Sequence, residues 1–231
     1  MSRIYSNSYF HYTNEIEYLI GILRDGFYGY YCQEEFKIDK LVKYFYIPVV
    51  SFCDIPLSQV SYITYGDWGI GMSSVWGNAN DLTPICYYPN KIDSPLTKQI
   101  SSIARDVYKK ALKSNNVVRN FNPIIAYSKP RNKYIPNGHR RNNYIERECR
   151  KAYLECSLDA NFHKRKHSKM HLLFTPKEVS FIVVPNELGR KNLIDNILQF
   201  NTIGGNAIAQ DSDRLLLISK IITLEELRRD Y

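Results

Sequence analysis

The sequence predicts an α+β fold built on a mostly antiparallel sheet. Three observations carry this: short apolar runs of strand length, helical periodicities set between them, and neither an internal repeat nor a linker long enough to force a boundary. With 231 residues, 44% of them apolar, the chain can bury a sizeable core. A single domain over residues 1–231 is the simplest organisation.

YFHYT, ending at Thr13, has strand character. NEIEYLIGILRDGF then predicts a short helix: Thr13 or Asn14 can cap it, Glu17 completes a capping box from Asn14, and Ile16, Leu19, Ile20 and Leu23 form its apolar stripe. Gly26 stops it. The following FYGYYCQEEF reads as aromatic and turn-rich. YIPVVSFCDIP predicts a buried strand whose end delivers Ser51, Cys53 and Asp54 to a loop. In YGDWGIGMSSVWG, the glycines at 66, 69, 71 and 77 permit tight turns or close backbone approach.

TPICYY is a further strand, and a helix starts after Ser94 with Pro95 at its first position. Its core stripe is Ile100, Ile103, Ala104, Val107 and Ala111. A strand is expected from about Glu148, another at VSFIVVP, a short helix at NLIDNILQF and a strand at LLLISKIIT. TLEELRRDY closes the chain with a second capping box, Thr223 with Glu226.

Net charge is +8, unevenly placed: residues 1–94 carry −4, residues 95–175 carry +13 and residues 176–231 carry −1. The excess concentrates in a basic middle segment, about residues 129–170, in KPRNKYIPNGHRR and HKRKHSK. Lys129, Arg131, Lys133, Arg140, Arg141, Lys164, Arg165 and Lys166 would attract nucleic acid, a nucleotide's phosphates or an acidic partner. The plainer alternative is a solvated basic loop. No apolar run is long enough to span a bilayer and the N-terminus lacks a signal-peptide pattern, so a cytoplasmic protein with no membrane partner is expected.

Five scattered cysteines suggest neither a zinc knuckle nor a disulfide framework. His163, His167 and His171 would share one face if HKRKHSKMH were helical, but the interleaved cations would repel a divalent ion, and no metal site is expected. The glycines match neither a P-loop nor a dinucleotide fingerprint.

Three polar elements stand out: His11 with its neighbours Tyr12 and Thr13, the run from Tyr65 to Gly71, and Glu146 with Glu148. A histidine can bind a ribose hydroxyl, an aromatic ring can stack on a flat base, and a carboxylate can stabilise positive charge developing on a sugar carbon. Each also has a structural alternative, since a lone histidine on a strand fills space and a glutamate among arginines forms ion pairs.

Taken in order, FHYTN, LIGILRDGF, IPVVSFCDIPLSQ, YGDWGIGMSSVWG, TPICYY, ERECRKAYLE, VSFIVVP and SKIITLEELRRDY resemble the AbiGi family of abortive phage-resistance proteins, described as antitoxins. SFCDIPLSQ followed by the YGDWGIG run is the most specific part, and Cys149 stands where the family usually shows Trp. FHYT before a helix ending in RDGF is also similar to the opening of DarT-like ADP-ribosyltransferase folds. That likeness implies an ADP-ribosyltransferase-like site using NAD: His11 on the ribose with Tyr12, Thr13 and Ser51 nearby, Tyr65 lining the nicotinamide pocket, and Glu148, or Glu146 in its place, catalytic. Together the resemblances imply a phage-defence protein that modifies a nucleic acid or protein, or alternatively a non-catalytic antitoxin that holds a toxin or nucleic acid through its basic middle.

Overall fold

The computed structural model describes residues 6–39, 41–57, 59, 66–91, 93–134 and 140–230. Its strands begin with β1 (Ser8–Thr13), β2 (Phe27–Ile38), β3 (Leu41–Cys53) and β4 (Trp68–Ser73), followed by β5 (Thr83–Pro84), β6 (Cys86–Tyr88) and β7 (Val117–Arg119). Then come β8 (Ser128–Pro130), β9 (Asn132–Tyr134), β10 (Arg140–Asn142), β11 (Glu148–Ala152) and β12 (Glu155–Ser157). The last are β13 (Lys166–Leu172), β14 (Val179–Val184), β15 (Thr202–Ile203), β16 (Asn206–Ala207) and β17 (Ile221–Thr223). The helices are α1 (Ile16–Asp25), α2 (Ser74–Ala79), α3 (Pro95–Leu112), α4 (Pro123–Ala126), α5 (Glu187–Ile197), α6 (Ser212–Ile218) and α7 (Leu224–Asp230).

These elements pack as two units, one of Met1–Phe27, Phe52–Leu82 and His171–Tyr231, the other of Tyr28–Ser51 and Thr83–Met170. In the first, the end of β3, then β1, β4, β14 and β17 lie side by side, antiparallel except for the parallel β14–β17 pair. His11 faces Ile70 in the β1–β4 register. Phe10, Val183, Leu224 and Leu227 form one buried cluster of this unit. In the second, β2 pairs antiparallel with β3 from Tyr30↔Val49 to Ile38↔Leu41, and β11 and β12 both pair with β3. Helix α3 covers that unit's core, where Ile100, Ala104, Val107 and Ala111 meet Phe45 and Ile47.

The mostly antiparallel sheet agrees with the expected class, and Ile100, Ala104, Val107 and Ala111 of the α3 stripe are buried as their spacing requires, with Ile103 half-buried beside them. Several local expectations are corrected. FYGYYCQEEF is not turn-rich: it is most of the twelve-residue strand β2, with Phe27, Tyr31 and Phe36 buried. Ser51 and Cys53 lie within β3 and not beyond it. Residues 68–73 of the glycine run are strand β4, because Gly69 and Gly71 leave room for the rings of Tyr12 and Phe10, which a Cβ there would approach to 2.7 Å. LLLI ends helix α6 and only Ile221–Thr223 is strand, since periodicity cannot separate helix from strand in a short apolar run. Glu15, not Asn14, occupies the start of α1, and its side chain makes no capping bond. The capping box of Thr223 and Glu226 does form.

Candidate functional site

Glu148 is the hub of a buried ion cluster in the second unit. It opens β11, just after a 3-10 turn over Asn143–Glu146 and the left-handed Arg147 (φ 40°). Strand periodicity puts Glu148 and Arg150 on one face, and Glu148 is only 4% exposed. Ser51 on β3 donates its hydroxyl to Glu148 Oε1 at 2.6 Å, and Arg150 Nε donates to the same oxygen at 2.8 Å. Lys129 Nζ sits 2.7 Å from Oε2. Arg150, fully buried, also reaches Glu34 Oε1 on β2 at 2.7 Å and the Ala126 carbonyl at 3.1 Å. The Glu148 amide donates to the Tyr87 hydroxyl at 2.9 Å, and Glu146 lies 3.7 Å from Lys129.

Burial alone would raise the Glu148 pKa, but the charges of Arg150 and Lys129 outweigh it and hold the carboxyl down at about 2. Burial also opposes the charge of Arg150, whose pKa is nonetheless raised by Glu148 and Glu34. Lys129 is raised in the same way, against its own desolvation, by Glu34 and Glu148. Burial pushes the nearby Cys32 thiol up to about 11, which keeps it protonated and poorly nucleophilic at neutral pH. Both Glu148 oxygens therefore accept from protein donors, and the carboxylate is a fixed anion with no proton to give near neutrality.

Of the sequence-predicted site residues, the structure brings Ser51, Glu146 and Glu148 together. His11, Tyr12 and Thr13 belong to the first unit. The His11 ring lies 5.5 Å from Phe27, edge to face, and 5.7 Å from Phe52. Tyr12 stacks on Phe10 at 5.8 Å, and burial raises its hydroxyl's pKa. Thr13 Oγ1 donates to the Glu15 carbonyl at 3.0 Å, a local bond at the start of α1. These three side chains thus all have packing or turn roles in view. Trp76 is likewise core, 2% exposed, with its indole N–H on the Leu173 carbonyl at 2.9 Å. Tyr65 lies outside the described residues.

Sequence reasoning missed Glu34, and it offered Arg150 only with Arg147 and Lys151 as a surface ion-pair partner of Glu146 or Glu148, where the Arg150 pair is buried. The signal was available in ECR, where a carboxylate and a guanidinium two apart in a strand must share a face, and a shared buried face demands pairing.

The basic segment divides. Lys129 is not part of an outward basic surface, because its ammonium is committed to Glu148 and Glu146. Lys133, Arg140 and Arg141 lie on the β9–β10 pair, with Arg141 opposite Lys133 in register. Arg131 is exposed, its guanidinium 5.4 Å from the centre of the Tyr144 ring. HKRKHSK is a turn entering β13 and not a helix, so His163, His167 and His171 do not share a helical face. Lys164, Arg165, Lys166 and Lys169 are all exposed there, while His167 is buried. Lys166 caps the Tyr28 ring and Arg165 lies 5.3 Å from that of Phe162, so apolar rings hold up the basic surface. Among the described residues no cluster of three or more His, Cys, Asp or Glu could hold a metal, and no helix is long and apolar enough to cross a membrane.

No curated protein and no solved structure matches the chain. One family model does, over residues 25–185, under the description "Putative abortive phage resistance protein AbiGi, antitoxin". The match holds β2, β3, β11 and every member of the Glu148 cluster, and leaves out FHYT and the C-terminal helices. The ion cluster is thus built within the portion that defines the family, and the chain belongs to the AbiGi family of abortive phage-resistance proteins.

Proposed function

We propose that the chain acts in phage defence as an antitoxin that works by binding and not by turnover, holding an acidic face of its cognate toxin on the basic surface of Lys164, Arg165, Lys166 and Lys169. The observation that carries this reading is the exposure of those four cations, three consecutive ones where the turn enters β13 and Lys169 further along the strand. The family description supports the antitoxin role. Such a patch steers an acidic partner and fixes its register more than it supplies raw affinity. The test is purification of the complex from cells carrying both genes, with wild type and with the Lys164→Glu, Arg165→Glu, Lys166→Glu triple variant. Binding should fall steeply with added salt, vanish in the variant and survive nuclease treatment. Loss on nuclease treatment would make nucleic acid the partner instead.

A second reading, an ADP-ribosyltransferase-like site using NAD, is favoured by one observation: Ser51 and Glu148, both expected there, share a 2.6 Å hydrogen bond. The surroundings of Glu148 do not fit that task, since a carboxylate that steadies a ribosyl cation needs an oxygen turned to the sugar. Here Arg150 and Ser51 take one oxygen and Lys129 the other. Nicotinamide release by purified wild type that disappears in Glu148→Gln would establish this reading and displace the first.

A further inference from the structure

The 3-10 turn Asn143–Glu146 in the second unit presents two apolar side chains to water on an otherwise basic stretch. Asn142 caps the turn by accepting the Tyr144 amide at 3.1 Å. Asn143 is buried, its side-chain amide donating to the Pro130 carbonyl and its backbone N–H to the Arg131 carbonyl, both at 2.8 Å. These bonds tie the turn to the chain between β8 and β9 and leave Tyr144 51% and Ile145 68% exposed. The Tyr144 ring is held in place: Tyr87 on β6 packs against it edge to face at 5.5 Å, and the Tyr87 hydroxyl accepts the Glu148 amide at 2.9 Å. The sequence reading counted the cations of this stretch but passed over its ring.

The charge around that ring is of one sign. The Arg131 guanidinium lies 5.4 Å from the ring centre, and Arg147 follows the turn in a left-handed conformation (φ 40°). Both arginines are exposed, and among the described residues neither has an ion-pair partner. The carboxylates beside Arg147 in sequence are engaged elsewhere, Glu146 at 3.7 Å from Lys129 and Glu148 in the ion cluster. The β9–β10 register sets Arg141 opposite Lys133, and neither strand contains a carboxylate. Like charges at facing positions are unfavourable unless an anion lies across them.

Hydration of a basic face explains the arginines but not the exposed Tyr144 ring and Ile145, which leave apolar area in water. A single strand of nucleic acid satisfies both at once: its bases offer flat faces to an aromatic ring, and its phosphates lie along the chain for the cations. In a duplex the bases already stack on one another, so a surface ring meets only the backbone. We infer that this surface binds single-stranded nucleic acid, stacking a base on Tyr144 and holding adjacent phosphates with Arg131 and Arg147. It is built from other residues than the surface of Lys164 to Lys169 and does not rest on the antitoxin reading.

The test is fluorescence anisotropy of the full chain with labelled strands of about twelve nucleotides, oligothymidine DNA and oligouridine RNA, against a duplex of the same length and over a range of salt. The single strands should bind about tenfold or more tightly than the duplex. Tyr144→Ala should weaken single-strand binding about tenfold or more, while Tyr144→Phe, which keeps the ring, should leave it unchanged. Arg131→Gln and Arg147→Gln should each weaken it and flatten the logarithmic salt slope by about 0.7. Lys164→Glu with Lys166→Glu should change it less than about threefold. The substituted side chains are exposed, so the variants should fold, which circular dichroism verifies. Photocrosslinking of wild type to an iodouridine-substituted strand, which needs no variant, should label Tyr144. Whichever of the two strands binds more tightly identifies the sugar of the natural ligand. Absence of saturable binding, a duplex bound as tightly as a single strand, unchanged affinity in Tyr144→Ala, a crosslink elsewhere, or loss in the Lys164 and Lys166 variant would each overturn the inference.

Discussion

Arg150 decides whether the centre of the second unit is a satisfied ion network or a pair of stranded charges. Replacing it by Met keeps the volume but leaves Glu34 and Glu148 buried without their shared partner. Breaking such a network from one side costs about 3–5 kcal/mol, which in a chain of this size lowers Tm by roughly 6 °C or more. Ser51→Ala removes a single donor from Glu148 and should cost only about 1–2 kcal/mol. The same carboxylate predicts an acid transition. Its folded pKa of about 2 lies below the unfolded value, so its stabilisation is complete above about pH 5 and is lost as pH falls toward 2. Urea unfolding followed from pH 6 to pH 2 should show that loss, and the slope should flatten in Glu148→Gln.

Two members of this ion cluster were singled out in the sequence for other roles: Glu148 as a catalytic carboxylate near a strand start, and Ser51 as a cofactor-binding side chain at a strand end. What the sequence could not show was that Lys129, nineteen positions away, and Glu34, on another strand, close around them. A charged residue reads as surface until its partner is known, and the partner is a matter of tertiary pairing.

At the scale of elements, the terminal helix α7 depends on its capping box. Thr223 Oγ1 accepts the Glu226 amide at 3.0 Å, and the Glu226 carboxylate accepts the Thr223 amide at 2.7 Å. Thr223→Ala should cost about 1 kcal/mol, measurable in urea melts. Gly204 is a sharper case. It takes the left-handed conformation (φ 58°), and a Cβ there would stand 2.1 Å from the Phe174 carbonyl oxygen. Gly204→Ala should therefore lose about 2 kcal/mol or more, beyond the usual effect of a surface substitution.

The elements that sequence reasoning recovered have a single dominant pattern, as in α3 with its five-residue apolar stripe or β14 with its apolar run broken only by Ser180. Those it missed have composition and context in conflict. In β2, glycines and tyrosines suggest turns, yet Gly29 exists so that the Met170 side chain can lie against the strand, where a Cβ would come within 2.2 Å of its sulfur. Only the neighbour explains the residue.

For the whole molecule, the first unit is assembled from three separated segments, so no linker marks its border with the second. That is why nothing along the chain suggested the division. The charge distribution was legible throughout: the surplus of residues 95–175 falls in the second unit and at the turn into β13. Folding separates cations that serve the interior, Lys129 and Arg150, from those that face outward, Lys164 to Lys166. A sum of charges cannot make that distinction, and the binding reading rests on it.

The most direct measurement is toxin neutralisation in cells by the Lys164→Glu, Arg165→Glu, Lys166→Glu variant, scored as growth when the cognate toxin is induced and accompanied by its melting temperature. The basic-surface account predicts loss of protection with the fold intact and Tm lowered by no more than a few °C, as the lost ring contacts of Arg165 and Lys166 require. Full protection by a folded variant would contradict it.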